Sequence, residues 1–147
     1  MKKIIALLSL TLMSIFILTS CGTNNLGEES PYGEDVNNLD GVSIELNKDT
    51  YKPEGDIFEL TVINDSEEDI SYGVPYTLEY YKEDKWYEVE PDNEIGFVLI
   101  LYTLSPGDEA SDEINLDSYE PLETGRYRVL RQIGDETLTT EFEVAEE

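Results

Sequence analysis

Apolar residues fall into three regimes along this chain. Residues 4–18 are an almost unbroken apolar run, residues 22–40 are mostly polar, and from Val42 onward apolar and polar positions alternate. Val42, Ile44 and Leu46 alternate with Ser43 and Glu45, the period of a half-buried strand. Phe58, Leu60 and Val62 repeat that period against Glu59, Thr61 and Ile63. Residues 70–72 read as a short strand. Residues 76–81 and 86–89 flank the polar stretch Lys82-Glu83-Asp84-Lys85 and predict a hairpin with a four-residue turn. Residues 95–104 carry no charge and read as a strand covered on both faces. Residues 113–116 form another short strand. Residues 126–133 and 137–144 form a last pair around Gly134-Asp135, after the turn signal Ser105-Pro106-Gly107-Asp108 upstream.

No segment sustains a helical period. Roughly seven to nine short strands at this spacing predict an all-β fold, an antiparallel two-sheet β-sandwich over residues 41–147. Tyr127 lies two positions before Val129 in a late strand. That is where immunoglobulin-like sandwiches place a corner tyrosine whose hydroxyl returns to upstream backbone. Packing on a sheet face is the plainer role for the same ring. Trp86, the single tryptophan, reads as a core anchor.

The apolar run at the start is about fifteen residues, short of the roughly twenty that span a bilayer as a helix. Lys2 and Lys3 precede it, and Leu18-Thr19-Ser20-Cys21 closes it with small residues, as at the end of a secretory leader. The closing residues resemble the lipobox of bacterial lipoproteins. The resemblance implies removal of residues 1–20, a diacylglyceryl group on Cys21, and an acyl chain such as palmitate on the new amino terminus. Two acyl chains hold a protein on a membrane where one is marginal. Cys21 is the only cysteine, so no disulfide forms within the chain. Residues 21–40 then predict a lipidated cysteine followed by a flexible acidic tether, because so few apolar side chains cannot offset chain entropy.

Charge narrows the partners. All 34 acidic residues follow the leader, against seven of the nine basic ones. Such a surface repels phosphate backbones and excludes nucleic acid as a partner, while favouring basic proteins, basic peptides and divalent cations. The chain has no histidine, which removes histidine-dependent nucleophilic catalysis and histidine metal sites. No phosphate-cradling glycine motif occurs. The sequence therefore predicts a protein that is not an enzyme.

Two clusters compete as sites. Asp65, Glu67, Glu68 and Asp69 form an acidic loop and are the candidates for calcium, which takes carboxylate oxygens from such loops. They lack the Asp-x-Asp-x-Asp-Gly spacing, and in so anionic a chain they also fit a plain solvated loop. Asp108, Glu109, Asp112 and Glu113 repeat the choice. Ten tyrosines are present, and Tyr72, Tyr76, Tyr80, Tyr81 and Tyr87 crowd the middle of the chain as a candidate binding face. Ordinary cross-strand stacking is the alternative. Alternation places Tyr80 and Tyr81 on opposite faces.

Taken over residues 41–144, Tyr51-Lys52, Val62-Ile63-Asn64, Tyr72-Gly73, Trp86, Leu104-Ser105-Pro106-Gly107 and Gly125-Arg126-Tyr127-Arg128 resemble the small bacterial immunoglobulin-like domains behind lipoprotein signals in low-GC Gram-positive bacteria. The resemblance implies a fold and brings no catalytic residues with it. A looser likeness to the bacillar proteinase-inhibitor sandwiches keeps inhibition of a protease or other hydrolase, through a loop such as 65–69, as an alternative. The expectation is a lipid-anchored extracytoplasmic protein of the cell membrane. Its role is non-catalytic binding or adaptor work on an envelope or secreted protein.

Overall fold

The computed structural model describes residues 25–146, and the leader and Cys21 lie outside them. Eleven strands build two facing sheets. They are β1 (Asn25–Glu29), β2 (Val42–Leu46), β3 (Thr50–Tyr51), β4 (Phe58–Asn64), β5 (Ile70–Gly73) and β6 (Thr77–Lys82), followed by β7 (Lys85–Glu90), β8 (Leu101–Leu104), β9 (Glu109–Ile114), β10 (Gly125–Ile133) and β11 (Glu136–Val144). A three-stranded sheet runs β2-β4-β9. The larger sheet runs β1-β7-β6-β10-β11-β3, with β5 pairing β10 beyond the end of β6 and β8 pairing β5. All pairings are antiparallel except β11 with β3. The expected all-β sandwich is what the chain forms.

Alternation decides which side chains meet between the sheets. Val42, Ile44, Leu60 and Val62 from one sheet face Leu78, Val129, Leu138 and Phe142 from the other, all buried. Tyr51 stacks on Phe58 at 3.8 Å between ring centroids, and Phe142 meets both edge-on. Tyr127 stacks on Phe142, and its hydroxyl donates to the Glu123 carbonyl at 2.6 Å, four residues upstream. This is the corner tyrosine that the spacing to Val129 predicts. The β6–β7 turn is tighter than expected. Lys82 pairs with Lys85, and the two-residue loop holds Glu83 and Asp84 at positive φ, the backbone that matches strand twist in short hairpins.

The strand expected at 113–116 runs earlier, over Glu109–Ile114, and three further features depart from the sequence reading. The expected tether is structured from Asn25 onward: β1 pairs with β7, and Asn37 makes three hydrogen bonds to β11, donating its backbone N–H to the Thr137 carbonyl and its side-chain amide to the Thr139 hydroxyl, and accepting the Thr139 N–H on its side-chain oxygen. An edge strand needs backbone partners more than apolar side chains, so its composition resembled a linker. Residues 95–104 are not a strand covered on both faces. Only 101–104 pair, at a sheet edge, and Val98, Leu99, Ile100, Leu101 and Tyr102 are exposed. Trp86 is buried but outside the inter-sheet core, on the outer face of the large sheet.

Candidate functional site

Strands β5 and β6 lie end to end along one edge of β10, and the chain kinks between them at residues 73–76. β6 pairs with Tyr127–Leu130 of β10 and β5 with Ile133 alone, leaving Arg131 and Gln132 opposite the kink. Pro75 has no N–H to give a ladder, which fits its place in the break. The Arg131 side chain takes up part of the loss: its Nη2 donates to the Val74 carbonyl at 3.0 Å. Both terminal nitrogens also bind Asp112 of β9, at 2.8 and 3.0 Å, tying the two sheets together. Arg131 is buried, Asp112 is half-exposed, and the Arg131 Nε is a buried donor without a partner.

The break opens a cleft of about 580 Å³. Tyr32, Tyr72, Tyr76, Leu101, Leu130 and Thr137 form most of its wall. The size lies within the usual range for ligand pockets, and aromatic walls with a few polar groups are their usual lining. The Tyr76 hydroxyl donates to the Asn115 carbonyl at 2.6 Å, and its ring meets Phe97 edge-on. Burial pushes the hydroxyls of Tyr72 and Tyr76 above their ordinary pKa.

On the outer face of the same sheet, a second cluster is closed. Arg128 and Glu79 are cross-strand neighbours and pair at 2.6 Å, both buried. Trp86 lies against the Arg128 guanidinium, 4.4 Å from its centroid, and donates through Nε1 to Glu34 at 3.3 Å. Arg126 covers Tyr81 and binds Glu141 with two nitrogens. Ser30 receives a hydrogen bond from Arg128. Residues 30–34 therefore seal this cluster, whose polar groups are satisfied internally.

The five tyrosines of the expected binding face are not one surface. Tyr72 and Tyr76 share the cleft, Tyr81 belongs to the Trp86 cluster, and Tyr80 packs on Tyr127. Tyr87 is the cross-strand partner of Tyr80 and half-buried. Tyr80 and Tyr81 do lie on opposite faces. Sequence reasoning passed over Leu130, Arg131 and Tyr32. The first two read as ordinary strand residues, and Tyr32 fell in the expected tether.

Loop 65–69 is organised from beneath. Asn64 is fully buried; its amide donates to the carbonyls of Glu68 and Leu104, and its oxygen accepts from the Ser66 N–H and hydroxyl. Asp65, Glu67, Glu68 and Asp69 point to solvent. Among the described residues no three acidic side chains converge where a metal ion could sit. In the second acidic cluster, Asp112 is committed to Arg131.

A family match agrees with this architecture. The family described as Bacterial Ig-like domain matches residues 38–143. No curated protein matches the chain. Among solved structures it is similar to a segment of the Pseudomonas fluorescens alkylpurine DNA glycosylase AlkC, with 18% identity, 71% of this chain and 30% of that one, and a TM-score of 0.42. It is also similar to parts of two β-glucosidases. For the Erythrobacter marinus enzyme the identity is 13%, the coverage 71% and 15%, and the TM-score 0.40. For the Listeria innocua enzyme with gluconolactone they are 17%, 78% and 16%, and 0.34. The chain thus spans under a third of each of these proteins.

Proposed function

Since the chain belongs to the bacterial Ig-like domain family, we propose that it is a non-catalytic binding module held on the outer side of the cell membrane through lipidated Cys21. The cleft at the β5–β6 break takes a side chain or short segment of an envelope or secreted protein. One observation carries this reading. The cleft is the place where aromatic and aliphatic groups line an open space, whereas the Trp86 cluster is sealed by its own hydrogen bonds. A net charge of −25 favours a partner with basic residues around the inserted segment.

The test uses two exposed positions on the cleft wall, Thr77 and Gln132. Envelope proteins retained by the wild-type chain should be lost from Thr77→Arg and Gln132→Arg, with folding unchanged by circular dichroism. Equal retention by both variants would sink the cleft as the binding site. The anchor is tested apart from this: Cys21→Ala should abolish processing and lipid attachment, and normal processing in that variant would refute it. An inhibitory role would appear in the same experiment as loss of the captured protein's activity.

A further inference from the structure

Segment 91–100 leaves the large sheet at the end of β7 and re-enters it at the start of β8. β7 pairs with β6 and β8 pairs with β5, and β6 and β5 lie in line along β10, so β7 and β8 occupy one column of the sheet. Beside that column runs β1, whose first residue, Asn25, pairs with Glu90 and donates to the Asp92 carboxylate at 2.6 Å. β1 is antiparallel to β7, so its N-terminal end is the end nearest β8. Asn25, the first described residue, therefore lies beside the segment that follows Glu90.

That segment is built unlike the rest of the surface. Ile95 and Phe97 pack inward against the core, while Val98, Leu99 and Leu101 stand 64%, 96% and 72% exposed, with Ile100 and Tyr102 beside them. No charge occurs from residue 95 to 104, in a chain where 29% of residues are charged. Contiguous exposed apolar surface of this kind marks a contact site.

Only three residues separate Cys21 from Asn25. Four residue steps reach at most roughly 14 Å when fully extended. We infer that segment 95–102 enters the interfacial layer of the bilayer in which Cys21 is anchored, fixing the domain's orientation on the membrane. This rests on the lipid-anchor reading proposed above. A short connection leaves the domain edge at the bilayer surface, and the edge that arrives there carries the apolar loop. Electrostatics select the same pose, because anionic lipid repels the acidic remainder and leaves the uncharged loop as the part that can approach. Tyr102, at the base of the exposed stretch, has the amphipathic ring that settles at headgroup level. A second copy is a poorer occupant. β8 offers a four-residue edge, and Asp92, Glu94, Asp108 and Glu109 flank it, so two copies would bring like charges together.

The experiment uses the full lipidated chain, purified from membranes and reconstituted into phosphatidylethanolamine–phosphatidylglycerol vesicles. Leu99→Cys and, at the far hairpin, Lys82→Cys each receive a polarity-sensitive dye. Vesicles with nitroxide on the lipid acyl chains then report depth. The dye at position 99 should shift to the blue and lose most of its emission to the nitroxide, and the dye at position 82 should do neither. A lipidated chain whose two probes both behave as in water overturns this inference and leaves the anchor intact. A blue shift without quenching, together with a cross-linked species of twice the mass, overturns it in favour of a dimer. Two dyes per chain and no lipid on the amino-terminal peptide refute the anchor reading, and the inference falls with it.

Discussion

Arg131 illustrates how one side chain can be both a tie and a liability. Its guanidinium is buried and its Nε lacks a partner, so the charge depends on the carboxylate of Asp112 and the carbonyl of Val74. Removing one partner of a buried pair leaves an uncompensated charge, which costs more than the pair itself contributes. Asp112→Ala should therefore lower the unfolding free energy by about 3 kcal/mol. Arg131→Met should cost less, since half-exposed Asp112 can turn to water and only the Val74 carbonyl is stranded, at about 1–3 kcal/mol. Urea denaturation of both variants checks the order, and a larger loss in Arg131→Met would contradict it. Gly125 offers a second check. It sits at φ +144°, and a Cβ there would lie 2.8 Å from the Tyr80 ring. Gly125→Ala should destabilise by about 2 kcal/mol, from backbone strain and displacement of that ring. An unchanged denaturation midpoint would mean that neither constraint matters. The sequence shows Gly125 only as the start of Gly125-Arg126-Tyr127-Arg128, with no sign of why glycine is needed there. The clash with Tyr80 depends on a pairing between β6 and β10 across a sequence gap of more than forty residues.

Strands that alternate under a shared core were readable because both of their faces are defined by the same burial. β2, β4 and β11 follow the predicted pattern, and so does the placement of Tyr127. Strands at the edges were not. β1 contributes one partly buried apolar side chain, Leu26, and holds its place by pairing with β7. β3 has two residues, too few to show an alternating pattern. Segment 95–104 failed for the opposite reason: an apolar run announces hydrophobicity but not whether the sheet has a second neighbour to cover it. The cleft was out of reach in the same way. Its wall joins residues from 32 to 137, and its cause is a missing stretch of ladder beside Pro75. The role assigned to residues 30–34 in sealing the Trp86 cluster can be tested. Glu34→Ala together with Ser30→Ala removes the hydrogen bonds to the indole and to Arg128. Tryptophan emission should move to longer wavelength and become accessible to iodide, while the far-ultraviolet circular dichroism is retained. A spectrum identical to wild type would show that packing alone holds the segment down.

At the scale of the whole molecule, charge and buried phenols act at opposite ends of the pH range. With 34 acidic and nine basic residues, and with Lys48, Lys85, Arg126, Arg128 and Arg131 each already in an ion pair, the folded state is dominated by repulsion among carboxylates. Added salt screens exposed charges and should raise the melting temperature at neutral pH. The alkaline limit is set by the interior. Burial raises the hydroxyls of Tyr51 and Tyr119 to about 12 and moves Tyr72, Tyr76 and Tyr80 upward as well. A group whose pKa is raised on folding favours the native state fully below its unfolded value, near 10 for tyrosine, and that contribution is lost as pH climbs through the folded value. Stability should therefore hold to about pH 10 and fall steeply between pH 10 and 12. Over that interval the rise in absorbance at 295 nm from these five phenols should coincide with the collapse of near-ultraviolet circular dichroism. Tyr51→Phe should shift the collapse to higher pH, because one phenol that must stay neutral is gone, although the hydrogen bond to Asn47 is lost with it. Ionisation of these five phenols with the fold intact would show that they are not held neutral by burial.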